Sequence, residues 1–265
     1  MEADPGRGCR VSLEACAALV EEADPDRFAT ARLADDRVQR ILWPLYAFNI
    51  EVTRAPWVTQ EPMIAEIRLQ WWRDALEEIR EGRKVRSHAV TVPLAEVLDA
   101  EGAMVLDRLV EARAWDIYSD PFPDQKSFDA YIDATYGGLF WTAARLIGDA
   151  SEAMIRKFAY ACGVAAILRA APELARRGRD PLPVDDVAGY KVLTGGALNA
   201  LDAAVAEKEH VQADHEALML SGWQTRSLLR AALADSESSF KNGVTLSEFS
   251  RRFRLFKLST LGWWR

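Results

Sequence analysis

The pattern that most constrains this chain is the near-absence of one-by-one alternation of apolar and polar residues. Apolar residues instead recur every three to five positions along most of its length. A half-buried strand needs a period of two and an amphipathic helix a period near 3.6, so the pattern selects helix. Alanine, the strongest helix former, is also the commonest residue. The spacing predicts helices over residues 12–23, from Asp36 through Phe48, and from Pro62 to Gly82. Others are expected at residues 94–100, 105–118, 127–147, 151–171, 197–210, 211–233 and from 246. Pro44 is expected to kink or break its helix, since proline lacks the N–H and clashes with the preceding turn. In the helix after Pro62, the apolar residues Ile64, Ile67, Trp71, Leu76 and Ile79 recur at spacings of three to five. No repeat, low-complexity tract or long linker divides residues 1–265. The expectation is a single all-α domain of about eight to ten helices, with the first ~25 residues and residues 251–265 peripheral.

Charge and cysteine usage exclude several functions. Thirty-three basic residues against forty acidic ones give a net charge of −7. A general nucleic-acid binder needs the opposite balance to neutralise phosphates, so no nucleic-acid partner is expected. The three cysteines, Cys9, Cys16 and Cys162, form no C-x-x-C pair and leave one unpaired, which points to a reducing compartment. The early acids Asp4, Glu14, Glu21, Glu22, Asp24 and Asp26 suit neither a secretory signal nor an Arg-rich presequence. No stretch of about 18 uncharged apolar residues predicts a span, so a cytoplasmic location is expected.

Two stretches carry a resemblance. The first is Trp43-Pro44-Leu45-Tyr46-Ala47-Phe48-Asn49-Ile50-Glu51 followed by Ile67-Arg68-Leu69-Gln70-Trp71-Trp72-Arg73-Asp74-Ala75-Leu76. The second is Gly163-Val164-Ala165-Ala166-Ile167-Leu168-Arg169 followed by Gly178-Arg179-Asp180-Pro181-Leu182-Pro183. In order and spacing, from about residue 30 to about residue 230, the chain resembles the squalene/phytoene synthase family. The resemblance implies the all-α isoprenoid (terpenoid) synthase fold. It also implies a parent chemistry in which a prenyl diphosphate loses its diphosphate to Mg²⁺ held by two aspartate-rich motifs. Magnesium is a hard cation that takes oxygen ligands, so the carboxylates are indispensable to that chemistry.

Neither motif is present. The aspartates of the first fall on Thr53, Arg54 and Trp57. Of the second, only Arg169 and Glu173 remain, with Pro172 expected to end the helix early. Metal-dependent prenyl transfer is therefore not expected, and no catalytic residue, metal ligand or cofactor is assigned. Magnesium would enter only under the alternative of an active prenyltransferase. Phe48-Asn49-x-Glu51, the Arg-Leu-Gln-Trp-Trp box and the Leu-Arg-Ala-x-Pro element resemble a branch of the family that includes a mitochondrial complex I assembly factor. That likeness implies a non-catalytic role in assembling NADH:ubiquinone oxidoreductase, with complex I subunits or a membrane surface as partners. A carrier of a lipid or isoprenoid ligand is a third reading.

The candidate pocket or partner-facing residues are Asn49, Glu51, Arg54, Arg68, Trp71, Arg73, Arg169 and Glu173. Arg68 and Trp71 are spaced to touch on one helix face. Glu51, Arg54, Arg169 and Glu173 are expected to pair with one another and close the old site. Residues from Arg251 onward carry five basic and no acidic side chains. Arg251, Arg252, Arg254, Phe256, Lys257, Trp263 and Trp264 thus form a candidate tail for an anionic membrane surface or an acidic partner. Such a tail would place the protein on the periphery of the inner membrane. Asp129 and Asp133 form a D-x-x-x-D, expected to be early-helix acids rather than metal ligands. Asp35-Asp36 and Asp185-Asp186 read as caps, Cys162 as a core residue, and His88, His210 and His215 as lacking zinc spacing.

Overall fold

The computed structural model describes residues 5–59, 61–118, 120–246, 258 and 260–263, with side chains described from residue 13 onward. The described secondary structure is entirely helical. In order, the helices are α1 (Pro5–Ala23), α2 (Pro25–Ala31), α3 (Asp36–Arg54), α4 (Pro62–Arg80), α5 (Thr91–Val97), α6 (Ala100–Ala112) and α7 (Gln125–Ile132). There follow α8 (Gly138–Ile147), α9 (Glu152–Arg176), α10 (Val187–Ala206), α11 (Glu216–Leu220), α12 (Thr225–Ala234) and α13 (Ser236–Asn242). Their starts follow local chemistry. Asp35, Asp99, Asp124, Ser151 and Asp186 each accept a backbone N–H from three residues on, satisfying an orphan donor of the first turn. Asp35 and Asp186 thus act as the caps their acidic pairs foretold.

The residues group into two compact units. One comprises the described residues within Met1–Tyr118, Thr142–Asp149 and Ala213–Ser221, the other those within Ser119–Trp141, Ala150–Gln212 and Gly222–Arg265. The chain passes from one set to the other inside α8 and in short connections, which is why no linker composition marks the division.

In the first unit, α3 is the central helix. Every residue from Ile41 to Ile50 is buried, and α3 packs on α1 and α5, while α4 packs on α6. The helix runs unbroken through Pro44. An interior proline costs about 3 kcal/mol, whereas each fully buried Leu or Phe stabilises by roughly 1.5–3 kcal/mol. Leu42, Leu45 and Phe48 together outweigh that cost.

The second unit is built on α9, which packs on α7, α10 and α12. Among the described residues, α9 is the one helix long and apolar enough to cross a membrane by length and composition, and here it packs as a core helix. It too runs through its proline, Pro172. Gly243, at φ +78°, passes so close that a Cβ there would lie 2.1 Å from the Pro172 ring. The predicted helix over 127–147 is interrupted by a π-helical turn at Asp133–Gly137. Gly163 of α9 allows that turn to approach, since a Cβ would lie 3.0 Å from the Tyr136 ring. The predicted helix from 197 begins ten residues earlier, at Val187. The helix predicted over 211–233 breaks into α11 and α12, with α13 just after it. The helix predicted from 246 lies largely outside the described residues, among which thirteen α-helices stand where eight to ten were expected.

Candidate functional site

The end of α3, the 3-10 turn Ala55–Trp57, α4 and the loop before α5 enclose a cavity of about 410 Å³ in the first unit. Glu51, Arg54, Ala55, Val58, Arg68, Trp71, Trp72 and His88 line it. Four of these, Glu51, Arg54, Arg68 and Trp71, were legible as candidates. Trp72 was legible as part of the Arg-Leu-Gln-Trp-Trp box, whereas the place of His88 was not, because it comes from an irregular loop that has no period to read.

The aromatic wall is tightly built. The rings of Trp71 and Trp72 meet edge-on at 4.9 Å, and each lies 5.4 Å from His88. Trp72 also packs edge-on against Phe48 of α3. Such pairings place a positive ring edge against a π face. The cation over Trp71 is Arg86, at 5.0 Å, and not Arg68 as the helical spacing suggested. Arg86 also donates to Glu78 and to the Trp71 carbonyl. Those donations hold the Glu78 carboxyl below the ordinary glutamate range. Arg86 is therefore held from three sides, and it fixes the loop that brings His88 onto the tryptophans.

At the cavity's mouth the charges are arranged differently. Among the described residues, Glu51, Arg54 and Arg68 make no ion pair or side-chain hydrogen bond, and both arginines are exposed. Of the residues expected to pair across the old site, Glu51 and Arg54 do not pair with each other. Glu173 instead pairs with Arg176 and Arg177, on the last turn of its own helix and just past it, and Arg169 lies exposed on α9. Asn49 is buried in α3 and does not line the cavity. Arg73 points elsewhere, making a two-pronged contact with Asp107 of α6 at 2.8 and 3.0 Å.

The two acids of the D-x-x-x-D in the second unit are already engaged. Asp129 accepts from the Tyr160 hydroxyl at 2.8 Å and from Gln125 at 2.7 Å, and Asp133 pairs with Arg156 at 2.8 Å. Burial and the Asp129 hydrogen bond push the Tyr160 phenol upward. Cys162 is buried and accepts from Thr225, as a core residue should. Of the candidate tail, Trp263 is buried and packs edge-on against Phe158 at 5.3 Å, so its ring is core rather than docking surface. Arg251, Arg252, Arg254, Phe256, Lys257 and Trp264 lie outside the described residues.

The chemistry of this donor set does not suit magnesium. The first-unit cavity offers one carboxylate beside two guanidinium groups, whereas Mg²⁺ needs several oxygen ligands and would be repelled by the cations. Among the described residues, no three of His, Cys, Asp or Glu gather where they could hold a metal ion.

The squalene/phytoene synthase family model matches residues 20–235. The chain belongs to that family. Two curated relatives are complex I assembly factor 6 proteins. One, from Drosophila melanogaster, is 26% identical over 182 residues, covering 64% of this chain and 54% of the fly protein. The other, from Mus musculus, is 22% identical over 255 residues, covering 90% of this chain and 73% of the mouse protein. The chain thus spans about half the length of the fly relative. Among solved structures, a dehydrosqualene synthase in complex with ligand superposes with a TM-score of 0.80 at 15% identity, covering 97% of this chain and 99% of that one. A squalene synthase from Alicyclobacillus acidocaldarius gives 0.69 at 14% identity, covering 88% and 95%. These likenesses establish the isoprenoid synthase fold expected from the sequence.

Proposed function

We propose that this protein is a non-catalytic member of the squalene/phytoene synthase family that serves assembly of NADH:ubiquinone oxidoreductase. It works without a metal cofactor, on the cytoplasmic side and peripheral to a membrane. The observation that carries the non-catalytic part is the first-unit cavity. Thr53, Arg54 and Trp57 stand where the family resemblance calls for carboxylates, and the cavity itself holds Glu51 with two unpaired guanidinium groups. A leaving diphosphate needs its charge neutralised by metal ions, and this lining supplies no cluster to hold them. The assembly part is supported by the relatives named for complex I assembly. A client enzyme that passes electrons to a lipid-soluble quinone also gives the protein reason to work beside a membrane.

The test is deletion of the gene in its own host. Assembled complex I on native gels and NADH:quinone activity should both fall several-fold. Wild type should restore them, and so should a chain carrying Asp129→Asn and Asp133→Asn. Normal complex I together with loss of an isoprenoid product would overturn the proposal in favour of an active transferase.

A further inference from the structure

The N-terminal half of α4 is apolar on two sides. Ala65, Leu69, Trp72 and Leu76 form the buried stripe against the first unit's core. Ile64 and Ile67, apolar positions of the same helical pattern, face outward. Met63 is 71% exposed, Ile67 62%, Val58 54% and Ile64 39%. At 100° per residue, the outward set of Met63, Ile64, Ile67 and Trp71 lies roughly 150° from the buried one. Large apolar side chains gathered on one outward helix face mark an interaction surface, whereas single exposed ones need no explanation.

The surroundings of this ledge narrow what it meets. Arg54 and Arg68 are exposed, lack partners among the described residues, and border the same cavity as Val58 and Trp71. Guanidinium groups bind phosphate oxygens through paired, planar donors. The acids nearby are Glu51 inside the cavity, Glu61 at the start of α4, and Glu66, which accepts from the Tyr118 hydroxyl. Two guanidinium groups against three carboxylates leave no local excess of positive charge, so the pattern is not that of a cationic patch seeking an acidic protein. An apolar ledge edged by phosphate-binding groups and a half-buried indole matches the depth profile of a bilayer surface, with acyl chains beneath a phosphate layer.

We infer that the outward face of α4, through Met63, Ile64 and Ile67, seats on a phospholipid bilayer while Arg54 and Arg68 bind lipid phosphates. This rests on the membrane half of the preceding proposal and not on the assembly role. The test is co-sedimentation of the full chain with vesicles of phosphatidylcholine and phosphatidylglycerol. Three variants are compared: Met63→Ser/Ile67→Ser, Arg54→Gln/Arg68→Gln, and Arg251→Ser/Arg252→Ser/Arg254→Ser. The residues altered in the first two variants are exposed, so unchanged melting curves are expected of both.

The first two variants should lower the vesicle partition coefficient at least tenfold, and the third should change it less than threefold. Equal binding by wild type and the first two variants, with loss only in the third, would overturn the α4 face and leave membrane association to the tail. No binding by wild type would overturn both the face and the membrane half of the functional proposal. Competition by free inorganic phosphate, with Met63→Ser/Ile67→Ser binding normally, would make the cavity a free-phosphate site and sink the inference. A wild-type dimer that Met63→Ser/Ile67→Ser converts to monomer, without vesicle binding, would assign the face to a second copy.

Discussion

The candidate charges of the two units are used in opposite ways. In the second unit, Asp129 and Asp133 are held by Tyr160, Gln125 and Arg156, and Glu173 is held by Arg176 and Arg177. In the first, the aromatic wall of Trp71, Trp72 and His88 is braced by Arg86, yet Glu51, Arg54 and Arg68 at the mouth stand without partners. Paired charges satisfy the fold. Charges left unpaired beside a rigid wall are available to something outside the chain, and that contrast is why the first-unit cavity is the better functional candidate.

The largest expected effect tests the wall. Trp72→Ala removes a buried ring that touches Phe48, Trp71 and His88, and it should cost about 3–5 kcal/mol of stability by urea unfolding. A loss below 1 kcal/mol would mean the wall is not packed as described. Next comes its brace. Glu78→Gln should cost about 1–2 kcal/mol, the range for weakening a charged hydrogen bond. Arg86 lowers the folded-state value of Glu78, so this contribution is complete above the ordinary glutamate value of about 4.3. It is lost as pH falls through the lower folded-state value. Stability of the variant should therefore fall less steeply with acid than that of wild type, and identical slopes would remove Glu78 from the brace.

A smaller effect addresses the second unit. Tyr160→Phe deletes the hydroxyl donated to Asp129 and should cost about 1 kcal/mol. A gain in stability would show Asp129 to be free rather than engaged. Smallest of all, Arg54→Ala and Arg68→Ala should change stability by less than about 0.5 kcal/mol, as exposed residues without partners do. A larger loss in either would place that arginine in the fold and erase the contrast between the units.

Much of this was legible in the sequence, for identifiable reasons. Helix period and Asp caps mark most elements, and the Trp43–Glu51 and Ile67–Leu76 stretches carried the family. Pro44 and Pro172 misled because the local cost of proline is set against burial that only tertiary structure reveals. The outward turn of Ile64 and Ile67 was not legible because α4 has apolar residues on two sides, and period alone does not say which side faces in. The roles of His88 in the cavity lining and of Arg86 in bracing Trp71 went unread because both residues come from an irregular loop. Arg73 lies beside Trp72 in sequence, yet its partner, Asp107, is set by the packing of α4 on α6.

The measurement closest to the central claim is diphosphate release from farnesyl and geranylgeranyl diphosphate with Mg²⁺, followed by product mass. The unpaired, carboxylate-poor cavity predicts no release above the protein-free rate, and no effect of Asp129→Asn/Asp133→Asn. Magnesium-dependent turnover to a condensed product, abolished in that double variant, would contradict the account and make the second unit's acids a working metal site.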